Sequence, residues 1–260
     1  MTGRNDANTR RILITGATGA IGAALAGVYA APGIVMLLQG RNIARLEQVA
    51  GLCRAAGATV LTQACDVRDV PSMRRWLDGV CGTEVPDLAI LAAGVNTNVG
   101  PGGEPEPWEE SEALIDVNVK GTMAVIAALL PGMLERGGGQ IAIFSSLAGY
   151  FGLPLTPSYS ASKAALKAYG EALRGGLAPR GIRVNVIMPG YVKSVMCDHM
   201  PGPKPFLWPP ERAAKYIRRG LERDRARISF PFPLNWGTWW LAVLPAAVSI
   251  RIVRWMGYAR

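Results

Sequence analysis

The chain has 260 residues, half of them hydrophobic, with 28 Lys and Arg against 19 Asp and Glu and a formal charge of +9. That length suits one large α/β domain or two small ones, and the apolar share excludes a disordered chain. The positive balance leaves three classes of partner, a nucleic acid, an anionic membrane surface, or an anionic cofactor and substrate, while four cysteines without a C-x-x-C and a single histidine, His199, argue against a metal site.

The first ten residues are polar, with arginines at Arg4 and Arg10, and no apolar leader stretch follows. Export is therefore not indicated, and free thiols at Cys53, Cys65, Cys81 and Cys197 fit a reducing, cytoplasmic setting. Residues 11–15 (RILIT) read as a buried strand, followed by glycines 16, 19 and 22 and a helical stretch to about residue 31. Residues 34–38 read as a second strand. Residues 41–56 have helical spacing, with Ile43, Leu46, Val49 and Leu52 assigned to one side. A strand over 59–63, a helix over 70–80 and a strand over 87–91 follow. The alternation continues with a helix over 117–135, a strand over 140–144, a helix over 158–177 and a strand over 182–187.

Strands that are apolar throughout, alternating with helices, predict a parallel sheet covered on both faces. Right-handed crossovers make it a doubly wound α/β sheet of the Rossmann type, one domain across residues 1–260. Two Gly- and Pro-rich stretches interrupt the alternation, at 95–107 and 191–210. Both follow strands, so both belong at the carboxyl edge of the sheet where ligands bind. The second is predicted to be a mobile substrate lid.

Thr15, Gly16, Thr18, Gly19, Ala20, Ile21 and Gly22 lie between a strand and a helix. Glycines there allow a tight turn and a close approach of backbone to a pyrophosphate, and the helix start supplies free amides and partial positive charge. After the second strand come Gln39, Gly40 and Arg41, with no carboxylate to bind a ribose 2′-OH. Arg41 is placed to face a 2′-phosphate, which favours NADP over NAD. Asp66 and Val67 follow the third strand; Asp66 fits an adenine-edge contact or, equally, a helix N-cap.

Tyr159 and Lys163 are separated by four positions at the start of a helix, so both lie on one face. A free phenol titrates near ~10. An ammonium one turn away is expected to lower that value and make Tyr159 an acid/base for an alcohol or carbonyl. Ser146 ends the preceding strand and can hold a substrate oxygen. Asn118 reads as opening a helix, either as an ordinary cap or as an anchor for a water linking the lysine to solvent.

These residues together resemble the short-chain dehydrogenase/reductase family. The matches run in order: the T-G-x-x-x-G-x-G turn from Thr15 to Gly22, Asp66-Val67, Ala93-Gly94, Asn118, Ser146, Tyr159, Lys163 and Pro189-Gly190. The resemblance covers about residues 10–230. It implies a seven-stranded sheet in the order 3-2-1-4-5-6-7, hydride transfer at a nicotinamide, and a catalytic tetrad of Asn118, Ser146, Tyr159 and Lys163. It further implies that Lys163 binds the nicotinamide ribose and that Pro189, Gly190, Val192 and Ser194 lie against the carboxamide. A homodimer or homotetramer built on the helices around 118–135 and 158–177 is implied as well. Leu91-Ala92-Ala93-Gly94 departs from the family's usual Asn-Asn-Ala-Gly, and Ser194 stands where threonine is usual.

Residues 228–250 hold no charge, and Arg251 and Arg254 follow. This apolar extension (228–260) is too short and too interrupted by proline to span a bilayer. It reads first as a cover over the active-site cleft or a subunit interface, and second as an interfacial segment making peripheral membrane contact. Basic clusters at Arg218, Arg219, Arg223, Arg225 and Arg227, and at Arg251, Arg254 and Arg260, lack the aromatic interleaving of a nucleic-acid module. The sequence thus predicts an NADP(H)-dependent carbonyl reductase or alcohol dehydrogenase acting on a hydrophobic small molecule. The alternative is a dinucleotide sensor without catalysis.

Overall fold

The computed structural model describes residues 10–82 and 84–258. The expectations placed on Arg4 and Arg260 fall outside them, as does the side chain of Cys81. Seven strands form one parallel sheet in the order β3-β2-β1-β4-β5-β6-β7, as expected. They are β1 (Arg10–Thr15), β2 (Ile34–Gly40), β3 (Thr59–Ala64), β4 (Leu88–Leu91), β5 (Gly139–Phe144), β6 (Ile182–Pro189) and β7 (Arg227–Phe230). The helices are α1 (Ala20–Tyr29), α2 (Ile43–Ala55), α3 (Val70–Cys81), α4 (Trp108–Ile115), α5 (Thr122–Arg136), α6 (Pro157–Leu177), α7 (Val195–His199), α8 (Pro210–Glu222), α9 (Leu234–Val243) and α10 (Ala246–Trp255).

Alternation along each strand feeds two cores. Ile12, Ile14, Met36, Leu38 and Ile90 point into one, with Leu25 of α1, Leu46 of α2 and Ile217 of α8. Leu13, Leu37, Ala89 and Leu91 point into the other, with Met73 of α3, Ile126 and Leu129 of α5 and Leu166 of α6. All side chains of β4 are buried, which explains its continuous apolar sequence.

Four details differ from the sequence reading. In α2 the buried stripe is Leu46, Val49, Ala50 and Cys53, while Ile43 and Leu52 are exposed. At 3.6 residues per turn a strict i+3 series drifts around the helix, and residues nine apart end on about opposite sides. The helix expected over 117–135 begins earlier, at Trp108, after Pro107 and with Glu109 and Glu110 in its first turn. It runs through a π turn (Asp116–Gly121) into α5, so Asn118 is interior to a helix and caps nothing. By length and composition residues 108–136 pass for a membrane span, yet Val125, Ile126, Leu129 and Met133 are buried against the sheet. Finally, the 228–260 extension starts inside the sheet, since residues 228–230 belong to β7.

The stretch 191–210 is not wholly irregular. It contains α7 and is pinched at its base by a bridge between Val192 and Trp208. Trp208 stacks on Phe230 at 5.0 Å and meets Tyr216 edge-on at 5.6 Å, with the Arg212 guanidinium 4.0 Å above its ring. The basic cluster around α8 is partly neutralised: Arg218 pairs with Glu222 and Arg227 with Glu171.

Away from the carboxyl edge, a buried polar network ties β5, β6 and α6 together. Gln140 donates to Asn185 Oδ1 at 2.8 Å and to the Leu221 carbonyl at 2.9 Å. Asn185 donates to Asp224 at 3.0 Å, and Arg174 grips the same carboxylate with two bonds of 2.8 and 2.9 Å. Asn185→Leu leaves the buried Gln140 amide short of a partner, at about 1–3 kcal/mol, while Asp224 is part-exposed and keeps both bonds from Arg174. Thermal melts should show Tm falling by roughly 2–10 °C, with the far-UV spectrum of the folded state unchanged.

Candidate active site

The turn after β1 is set by steric contact with β4. Gly16 has φ +66°, and a Cβ there would lie 2.7 Å from the Ala93 Cα. The Thr15 hydroxyl accepts from the Ala93 amide at 3.3 Å, so Thr15 joins the two strand ends. A Cβ on Gly22 would strike the Gly16 carbonyl. The first turn of α1, from Gly19, has no side-chain cap, which leaves its amides to a ligand.

Gln39 is buried and engaged on both sides. Its Oε1 accepts from the Gly16 amide at 3.1 Å and its Nε2 donates to the Cys65 carbonyl at 2.6 Å. The next residue is Gly40, which packs on the Thr18 side chain. Neither Gln39 nor Gly40 therefore offers a free group to a ribose. The side chains that do reach this end of the cleft are Arg41 and Arg45, both exposed. Arg45 is absent from the sequence reading; its signal is the i+4 spacing from Arg41. Asp66 accepts from the Arg68 amide and guanidinium, both at 2.9 Å, and lies 3.8 Å from Arg41. These cations and hydrogen bonds hold its carboxyl below the usual range despite burial, which acts the other way. Asp66 is not a helix cap; Asp69 caps α3, accepting from the Ser72 amide at 3.0 Å.

A cleft of about 570 Å³ joins these groups. Gly16, Thr18, Gly19, Ala20, Ile21, Gly22, Arg41, Asp66, Val67, Ala93, Gly94, Tyr159, Lys163 and Ser194 all line it. The exposed Lys193 lines it from the loop after β6. A second, apolar cavity of about 130 Å³ adjoins it and takes in Ser146, Pro189, Gly190 and Val192. Ile21, Tyr159, Ser194 and Met196 line both spaces, so Tyr159 stands at their boundary. Leu147, Leu153, Cys197, Leu234, Leu241 and Val253 complete much of the apolar wall. Those from 228–258 show that the carboxyl-terminal segment packs over the site, the first of its two expected readings.

Helix α6 starts at Pro157, whose missing N–H costs nothing in a first turn. Glu106 accepts from the Ser158 amide at 3.0 Å and places a carboxylate at that helix start. Tyr159 and Lys163 then face the end of β5. The Ser145 hydroxyl donates to the Lys163 carbonyl at 2.6 Å, and Lys163 Nζ donates to the Phe144 carbonyl at 3.0 Å. Ser146 Oγ accepts from the Ala148 amide at 3.2 Å and contacts the Pro189 carbonyl at 3.3 Å. It also hydrogen-bonds Tyr159.

Asn118 is fully buried. Its Oδ1 accepts from the Val95 amide at 2.8 Å, and its Nδ2 donates to the Val95 carbonyl at 3.0 Å and to Ser162 Oγ at 3.1 Å. It thereby clamps the chain leaving β4 to α6. Gly94 lies beside both Asn118 and Lys163; a Cβ there would be 3.2 Å from Asn118 Oδ1 and 3.5 Å from Lys163 Nζ. Ser194 caps α7, accepting from the Cys197 amide at 3.0 Å.

The expected lowering of the phenol by Lys163 is corrected here. Burial pushes the Tyr159 pKa up, and the Ser146 hydrogen bond only partly opposes it. Burial also pushes the Lys163 ammonium down, to about 8. Nζ lies 5.4 Å from the tyrosine ring centroid. Loss of water outweighs the charge one turn away.

The comparisons with known proteins agree on one family. The short chain dehydrogenase pattern matches residues 10–202. An uncharacterized oxidoreductase of Myxococcus xanthus is 37% identical over 239 residues, 91% of this chain and 93% of its own. The solved structure of a short-chain type dehydrogenase/reductase from Mycobacterium marinum superposes with a TM-score of 0.75 at 28% identity, covering 85% of this chain and 92% of the other. A short-chain dehydrogenase from Sphingobium yanoikuyae, solved in complex with NADPH, has a TM-score of 0.78 and covers 96% of each chain, and at 22% identity it shows the fold alone.

The buried lysine makes stability depend on pH. Its folded value of about 8 lies below the ordinary 10.5. Between those values the unfolded chain binds the extra proton, so the native state gains stability as pH rises through the window and loses it as pH falls. Lys163→Met removes this dependence. Thermal melts at pH 8 and 10.5 should show wild type gaining on the variant by roughly 3 kcal/mol. Parallel curves would contradict the burial argument.

Proposed function

The chain belongs to the short-chain dehydrogenase/reductase family, and from that premise we propose that it is an NADP(H)-dependent carbonyl reductase acting on a hydrophobic ketone or aldehyde. The family membership makes it an oxidoreductase with a Rossmann-type, NAD(P)-binding fold. The observation that carries the finer reading is the position of Tyr159 on the wall shared by the dinucleotide cleft and the apolar cavity. A group there touches substrate and cofactor at once.

When bound, the nicotinamide dinucleotide supplies the hydride. The glycine turn and the first-turn amides of α1 hold its pyrophosphate, and Arg41 and Arg45 take the 2′-phosphate. Gly94 and Val67 leave room for the middle of the dinucleotide, and Lys163 binds the nicotinamide ribose. Pro189, Gly190, Val192 and Ser194 form the wall against the carboxamide. Ser146 and Tyr159 receive the carbonyl oxygen of the substrate. Burial keeps the phenol protonated at neutral pH, so Tyr159 is ready to give its proton to that oxygen as negative charge develops on it. Lys163, still largely charged at neutral pH, assists the phenolate that the reverse reaction needs. Asn118 supports proton supply by holding Ser162 and the β4 edge, with one lone pair of Oδ1 left for a water.

Leu147, Leu153, Leu234 and Leu241 select an apolar substrate over sugars and polyols. Residues 191–210 act as the lid, since Tyr191, Met196 and Met200 line the cavity from that loop and its stem is pinned at Trp208. The protein works as a homodimer or homotetramer through α5 and α6. Free thiols at Cys53, Cys65 and Cys197 suit a cytoplasmic setting.

Tyr159→Phe should lower kcat/KM for a hydrophobic carbonyl by roughly 100- to 10,000-fold while cofactor binding, read by fluorescence titration, persists. Unchanged turnover would remove Tyr159 from the chemistry, whereas absence of turnover in the wild type with cofactor binding intact would favour the sensor reading. Arg41→Ala and Arg45→Ala should each raise the KM for NADPH by roughly 10- to 100-fold, the worth of a charge-assisted bond, and leave that for NADH nearly unchanged. Equal losses with both cofactors would deny the phosphate role.

A further inference from the structure

Helix α9 is apolar around its whole circumference but is covered on one side. Its sequence, LNWGTWWLAV, has no charged residue. Leu234, Thr238 and Leu241, at i, i+4 and i+7, line the apolar cavity. Trp236, Trp240 and Val243, at the same spacing, face outward and are exposed, Trp236 to 60%. An all-round apolar helix is ordinarily buried on every side. Helix α10 extends the surface. Ser249 and Val253 are buried, and the Ser249 hydroxyl donates to the Leu241 carbonyl at 2.8 Å. On the outside are Val248 and, at 88% exposure, Trp255; Phe232, just before α9, is 74% exposed.

The charge around this patch has one sign. From Arg225 to the end of the chain there is no Asp or Glu. Arg251 and Arg254 are exposed on α10, and among the described residues neither has an ion-pair partner. A second copy is a poor cover. A two-fold contact sets a patch against itself, so it would bring the arginines of both copies together with no carboxylate on either segment. An anionic bilayer surface meets both requirements, because its interface takes tryptophan rings and its phosphates take arginine.

We propose that α9 and α10 dock the protein on an anionic lipid surface, tryptophans at headgroup depth and Arg251 and Arg254 on the phosphates. Each helix has 10 residues, a length of about 15 Å, far below the ~20 residues of a span. The segment therefore lies on the membrane and does not cross it. The proposal does not depend on the catalytic reading.

The test is flotation of the full chain with vesicles of phosphatidylcholine and of phosphatidylcholine mixed with phosphatidylserine. The wild type should float with the anionic vesicles and much less with the neutral ones. The double variant R251Q/R254Q should bind the anionic vesicles roughly 30-fold more weakly, from about 1 kcal/mol per basic residue near such a surface. W240S/W255S should also lose binding while keeping the wild-type Tm, since both side chains are exposed. Failure to float with either vesicle overturns the proposal. So does equal binding to both vesicle types that the arginine variant leaves intact. A non-floating wild-type assembly that W240S/W255S breaks up, seen by sedimentation, would assign the patch to a second copy instead.

Discussion

The amino end of α6 docked on the carboxyl end of β5 is the contact on which the site depends. Two bonds make it: Ser145 Oγ to the Lys163 carbonyl, and Lys163 Nζ to the Phe144 carbonyl. A third, between the Ser146 and Tyr159 hydroxyls, lies at the wall of the apolar cavity. The strand fixes the helix rotation, and the helix fixes which two side chains leave water. Desolvation then decides their protonation: the phenol is held neutral and the ammonium is weakened toward about 8. Charge attraction between them is the smaller effect, because Lys163 Nζ spends a donor on a backbone carbonyl and lies over the ring rather than at the hydroxyl. Burying that lysine costs folding energy, and perturbed groups of this kind cluster at functional sites.

The rest of the sheet edge serves the same junction. Gly16 brings β1 to within contact of Ala93, and Asn118 clamps the next residues of that chain to α6 through Val95 and Ser162. Gln39 locks the glycine turn to the end of β3. These are structural bonds between strand ends, and together they leave one continuous cleft with Tyr159 at its far boundary. Polar groups buried between strands carry a desolvation cost if left unpaired, which is why Gln39 and Asn118 are each bonded on two sides.

The fold was legible because the parallel sheet buries both faces of its strands, so runs such as RILIT and IVMLL announce themselves without neighbours. Tyr159, Lys163 and Ser146 were legible because their spacing is local. What escaped the sequence was set by tertiary contact. The buried side of α2 depends on which stripe meets the sheet, and Ile43 and Leu52 lost to Ala50 and Cys53. Asn118 looked like a helix opening because the π turn around it breaks the period and the helix start at Trp108 lies nine residues upstream of the expected start at Val117. The direction of the Tyr159 shift follows from burial, which spacing cannot report. The cavity wall is the clearest case: Leu234, Thr238 and Leu241 reach the site from more than seventy residues beyond Tyr159.

That wall also constrains what the protein can be near. A helix with polar residues outside would seal the cavity and end the matter. α9 instead presents leucines inward and tryptophans outward, so one layer of side chains separates the apolar cavity from the apolar exterior. α9 is held at both ends, through Asn235 to Ser229 and Ser249 to Leu241, and by Leu234 and Leu241 packed into the clusters beneath it. Whatever covers the outside therefore bears on the inside. The proposed substrate wall and the proposed docking face are thus two sides of one ten-residue helix.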